Sequence, residues 1–139
     1  IMTPQKKNIA FVDNDQDETY IFHIALDELE IDYNFHYFKD SISFMDYLND
    51  NSQELPKLIF LNMHLPNKSG LELFQEIRAD QNFDFIRTVI YSNSMCEVTI
   101  SAFKSLGTTD FIVRTPELSA MKNVLKRLIV DIESNQTEV

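Results

Sequence analysis

The chain is poor in the residues that punctuate or staple a fold. Its 139 residues include 2 glycines, 4 prolines and a single cysteine, Cys96. A phosphate-cradling loop of the P-loop or dinucleotide type needs more glycines in one place than the whole chain holds, so both are excluded. So few forced turns place most of the chain in regular elements. A lone cysteine excludes an internal disulfide framework and a Cys-rich zinc site, and it suits a reducing cytoplasm. No apolar run approaches the roughly 18–20 residues of a membrane-spanning helix. Residues 1–7 carry no apolar stretch that reads as a secretory signal. Basic residues are scarce as well: 12 Lys and Arg stand against 22 Asp and Glu, a formal net charge of -10. That excess repels phosphate backbones and anionic lipid surfaces, so neither nucleic acid nor a membrane is expected as a partner.

What is present is a packed domain, with 44% hydrophobic and 24% charged residues. The length suits one domain with its own core. Short apolar runs alternate with stretches of helical period. Residues 8–12 form the first run and end in the acidic cluster Asp13-Asn14-Asp15-Gln16-Asp17-Glu18, which suits the positive end of a helix dipole. Tyr20, Ile21, Ile24, Ala25 and Leu29 then recur at helical spacing. Residues 34–38 read as an aromatic strand, and Ser41 is the expected N-cap of a short helix bearing Ile42, Met45 and Leu48. The continuous run 58–61 reads as a strand buried on both faces, closed by Asn62. A helix begins near Gly70, a strand over 88–91 ends at Ser92, and a helix over 97–106 precedes a strand over 111–113. The last helix carries Leu118, Met121, Leu125, Leu128 and Ile132 on one face. Five strand–helix units imply parallel strands with right-handed crossovers, a doubly wound α/β sheet. The domain is expected over 8–133, between short tails at 1–7 and 134–139, the latter frayed.

In open parallel sheets, ligands bind beyond the carboxyl ends of the strands. Those ends hold Asp13, Asn14 and Asp15, then Asn62, Ser92 and Arg114. Acids there suit a cation, and a hydroxyl with a guanidinium suits the oxygens of a phosphoryl group.

Two stretches carry a family resemblance. One is 58–73, Leu58-Ile59-Phe60-Leu61-Asn62-Met63-His64-Leu65-Pro66-Asn67-Lys68-Ser69-Gly70-Leu71-Glu72-Leu73; the other is 102–114, from Ala102 through Leu106-Gly107 to Phe111-Ile112-Val113-Arg114. Together they resemble the response-regulator receiver domain of two-component phosphorelay signalling, over nearly the whole chain. The resemblance implies a flavodoxin-like five-stranded parallel sheet in the order 2-1-3-4-5, with helices on both faces. In that family the acid closing the third strand attacks a phosphodonor and becomes an aspartyl phosphate. Here Asn62 holds that position, and a neutral amide oxygen attacks phosphorus poorly.

The resemblance also implies a Mg²⁺ site. Its ligands here would be Asp13, Asn14, Asn62 and the backbone carbonyl of His64. Asn14 stands where the family has an acid, and Asp15 lies one residue beyond the expected pair, so weak binding at best is expected. Ser92 and Phe111 match the family's switch positions. Arg114 replaces a lysine, and its planar fork is expected to pair with Asp13 without phosphate. The order Arg114-Thr115-Pro116 displaces the family's proline, so the Arg114–Thr115 bond is expected to be trans.

The expectation is a single-domain pseudo-receiver that is not phosphorylated, is not an enzyme and works by protein contact. Its partner would be a histidine kinase, a downstream signalling protein or a second copy of the chain, met on a face over 98–104 and 117–126. Two other readings stay open: an ordinary phospho-accepting receiver in which Asn62 replaces a native Asp, and a flavodoxin-like small-ligand binder or enzyme. The second lacks a nucleophile–base pair. Plainer roles stand beside the sharp ones. Asp17 and Glu18 suit a solvated helix start, Ser92 a strand-end hydrogen bond, and Phe111 and Cys96 simple packing. His23 and His36 need no special work, and His64 has no partner for zinc.

Overall fold

The apolar run at the middle of the chain becomes β3 (Leu58–Asn62), buried along its whole length. Its alternate residues feed two separate cores: Leu58 and Phe60 on one face, Ile59 and Leu61 on the other. The structure is a computed structural model that describes residues 7–137 except 53, 67, 95, 96, 108 and 109. Asn67 and Cys96 therefore lie outside the described residues.

Around β3 lie β1 (Lys7–Val12), β2 (Tyr33–Phe38), β4 (Arg87–Ser92) and β5 (Asp110–Val113). All pairs are parallel, and the order is β2-β1-β3-β4-β5, the flavodoxin-like arrangement expected. The helices are α1 (Tyr20–Glu28), α2 (Ser41–Leu48), α3 (Gly70–Arg78), α4 (Glu97–Ser105) and α5 (Leu118–Thr137). One face of the sheet packs Phe22, Ala25 and Leu26 of α1 with Met121, Leu125, Leu128 and Ile129 of α5. The other packs Phe44 and Leu48 of α2, Leu73, Phe74 and Ile77 of α3, and Phe103 of α4. Burying side chains on both faces is what allows parallel strands of nearly unbroken apolar residues.

Three local features differ from expectation. The acids after β1 do not open α1; a 3-10 helix (Gln16–Thr19) intervenes, capped by the Asp15 carboxylate accepting from the Asp17 amide. Ser41 is not the N-cap of α2. Asp40, in extended backbone, accepts from the Ser43 amide at 2.8 Å, while Ser41 is the buried first helical residue and donates to the Lys68 carbonyl at 3.2 Å. The backbone of α5 continues past residue 133 to Thr137.

Candidate functional site

The parallel register pairs Val12 with Leu61, so the next residues, Asp13 and Asn62, meet at the carboxyl edge of the sheet. Asp13 is 0% exposed. A buried carboxylate is costly unless its oxygens are hydrogen-bonded, and here both are. Oδ1 accepts from the Asp15 amide at 3.0 Å, and Oδ2 accepts from the Tyr91 hydroxyl at 2.6 Å. The Asp13 amide donates to the Phe38 carbonyl at 3.0 Å, and its own carbonyl accepts from the Tyr37 hydroxyl at 2.5 Å. Burial, reinforced by the Asp13 charge and hydrogen bond, pushes the Tyr91 phenol far above its ordinary pKa, so it remains a donor. Burial first, then the charges of Asp13, Asp15 and Asp17, raise Tyr37 in the same direction.

Asn62 is 6% exposed. Its Oδ1 accepts from the His64 amide at 2.9 Å, and its Nδ2 lies 3.5 Å from Glu18 Oε2, a long contact. The loop after it returns tightly to start α3. The Gly70 amide donates to the Met63 carbonyl at 3.1 Å, and a Cβ on Gly70 would sit 2.5 Å from the Asn62 carbonyl oxygen. Ser69 caps the helix by accepting from the Glu72 amide.

Arg114 does not pair with Asp13. Its Nη1 donates to the Glu18 backbone carbonyl at 3.0 Å, and its Nη2 donates to Asn93 Oδ1 at 2.5 Å and lies 3.4 Å from Glu18 Oε1. The physical reason is access: Asp13 is fully buried with both oxygens engaged, whereas the partly exposed Glu18 projects from the 3-10 turn within reach of the guanidinium. Glu18, read from sequence as a solvated helix start, thus stands between Asn62 and Arg114. Ser92 is buried at the end of β4; its Oγ accepts from the Ser94 amide at 3.4 Å and its carbonyl accepts from the Arg114 amide at 2.8 Å. Phe111 is half-buried in the other layer, its ring edge-on to Phe103. The Arg114–Thr115 bond is trans. Asn14, Asp15 and the His64 side chain are exposed.

No protein-family model matches the chain. It is 31% identical over 88 residues to the probable C4-dicarboxylate response regulator DctR of Bacillus subtilis, which is 61% of this chain and 38% of that relative. The aligned part thus spans well under half of that relative's length. Among solved structures, the phosphorylated cyanobacterial phytochrome response regulator RcpA superimposes with a TM-score of 0.77 at 25% identity, over 89% of this chain and 91% of that one. The bacteriophytochrome response regulator AtBRR gives 0.76 at 21% identity over 94% of both chains. The Mn²⁺-bound form of response regulator Rcp1 gives 0.74 at 23% identity over 96% of both. The chain folds as a response-regulator receiver domain.

The cation pocket that this family implies is poorly furnished in the present receiver. Among the described residues, no group of three or more His, Cys, Asp and Glu side chains is placed to hold a metal ion. Each Asp13 oxygen already accepts from a protein donor and the residue is fully buried, Glu18 faces Arg114, and Asn62 and Asn14 carry no charge. A hard divalent cation such as Mg²⁺ needs charged, accessible oxygens, and this donor set does not fit one. Tyr91 is the site residue that sequence reading missed. The signal was available: a hydroxyl one position before Ser92, in a strand otherwise built for burial, must find a partner.

Proposed function

We propose that this receiver acts in two-component signalling as a protein-contact module that takes no phosphoryl group on Asn62. One observation carries the reading. The side chain at the acceptor-equivalent position is a neutral amide whose oxygen already accepts the His64 amide, and among the described residues no three acidic, His or Cys side chains gather to hold a cation. Attack on phosphorus needs an anionic or activated oxygen, and a neutral amide oxygen is neither. Such a module is not an enzyme; it passes information through a surface.

The surface proposed is the one formed by α4, β5 and α5, where Val98, Val113 and Val130 are exposed apolar side chains. Its partner would be a histidine kinase, a downstream signalling protein or a second copy of the chain. The net charge of -10 favours a partner with a basic rim. A second reading draws on the phosphorylated relative RcpA: a native Asp at position 62 would restore an ordinary phospho-switch.

The test is to incubate the chain with a small-molecule phosphodonor and Mg²⁺ and to weigh it intact. An unchanged mass is expected. An acid-labile gain of roughly 80 Da, one phosphoryl group, would overturn the reading.

A further inference from the structure

We propose that the Tyr91 hydroxyl is a positioning group that takes the place of a divalent cation at Asp13 and keeps the site shaped without metal. The proposal rests on the reading of a receiver that needs no phosphoryl chemistry, and it adds the device that makes the site self-sufficient.

Asp13 lies at the carboxyl edge of the sheet with no exposed surface, and its carboxylate needs partners. The nearby cation does not supply them, since Arg114 is turned onto Glu18 and Asn93. What holds the carboxylate is one amide and one phenol, the Tyr91 contact at 2.6 Å being the shorter. Tyr91 is itself fixed: its ring is fully buried in β4 and meets Phe22 of α1 edge-on, with centroids 4.9 Å apart. A tyrosine has two χ angles, so a ring packed this way delivers its hydroxyl to one place at little entropic cost.

A cation drawing on Oδ2 would compete with that hydroxyl for the charge of the oxygen and for the space beside it. Where the cation pushes the phenol off, the buried O–H is left without an acceptor, a penalty set against the cation. The same contact that shapes the pocket therefore excludes metal from it. Removing the hydroxyl while keeping the ring should do two things together: weaken the fold and open Asp13 to a cation. A residue with a merely structural role would do only the first.

The experiment compares the wild-type chain with Tyr91→Phe and Asp13→Asn, using urea unfolding with and without Mg²⁺ and titration with Mn²⁺ followed by electron paramagnetic resonance. For the wild type, the expected result is an unfolding midpoint indifferent to Mg²⁺ and no saturable Mn²⁺ binding beyond that of Asp13→Asn. Tyr91→Phe is expected to unfold at lower urea, to recover part of the loss in Mg²⁺, and to bind Mn²⁺ about tenfold tighter than the wild type. A Tyr91→Phe midpoint equal to wild type, or no gain in Mn²⁺ binding, would overturn the proposal. Saturable Mn²⁺ binding by the wild type that Asp13→Asn abolishes would overturn it too, without relying on Tyr91→Phe folding. None of these readouts depends on phosphoryl transfer, so a mass gain with phosphodonor and a metal site at Asp13 are separate failures.

Discussion

Arg114, just beyond β5, closes on Glu18 in the turn after β1, with Nη1 3.0 Å from the Glu18 carbonyl oxygen and Nη2 3.4 Å from its carboxylate. The two residues are 96 positions apart in sequence, so the contact ties the loop after β5 to the turn after β1. It also takes up the Arg114 guanidinium, to which the family resemblance would give a phosphoryl oxygen.

Removing that fork should loosen the pocket mouth. Arg114→Ala is expected to lose about 1–2 kcal/mol of unfolding free energy, a charge-assisted hydrogen bond discounted for partial exposure of the pair. Arg114→Lys should recover only part of it, because one ammonium cannot meet Glu18 and Asn93 in the same plane. Urea unfolding of the three chains at low and high salt checks both statements.

Gly70 is needed for space. An added Cβ would meet the Asn62 carbonyl oxygen at 2.5 Å and the Met63 Cα at 3.0 Å, both backbone atoms that cannot swing aside. Gly70→Ala should therefore cost about 1–3 kcal/mol through overpacking, despite the better helix propensity of alanine. A thermal melt of the variant measures it; an unchanged or raised midpoint would contradict the contact.

Asp40 gives a pH signature. Its carboxyl is held below the ordinary value, chiefly by the Ser43 backbone amide and then by the Ser43 hydroxyl. A depressed folded-state pKa means the unfolded chain binds the proton first. The stabilisation is thus whole above the unfolded value of about 3.9 and fades as pH falls through it toward the lower folded value. Asp40→Ala should cost about 1 kcal/mol at pH 7 through loss of the cap. The gap to wild type should narrow in acid, and Asp40→Asn should keep most of the cap at both pH values.

Much of this was legible in the sequence. The alternation of strands and helices and the carboxyl-edge residues follow from where apolar runs stop, while the strand order is what the family resemblance implies: the run over 58–61 reads as a strand buried on both faces, with Asn62 at its end. What was not legible was decided by tertiary neighbours. Asp40 and Ser41 are adjacent residues that can each cap a helix; burial of Ser41 against the Lys68 carbonyl leaves the cap to Asp40. Spacing could not choose among Asp13, Asp15, Asp17 and Glu18 as the partner of Arg114. The choice turns on Asp13 being sealed by Tyr91 and Asp15 being spent on a cap.

On the proposed function, this site is completed by its own side chains and receives no phosphoryl group. The most direct measurement is a ¹H–¹⁵N correlation spectrum of the labelled chain, recorded with and without Mg²⁺ and a beryllium fluoride mimic of the phosphoryl group. The amides of Asp15, His64 and Arg114 are expected to hold their positions throughout. Saturable shifts of those three signals, spreading to Ser92, would contradict it.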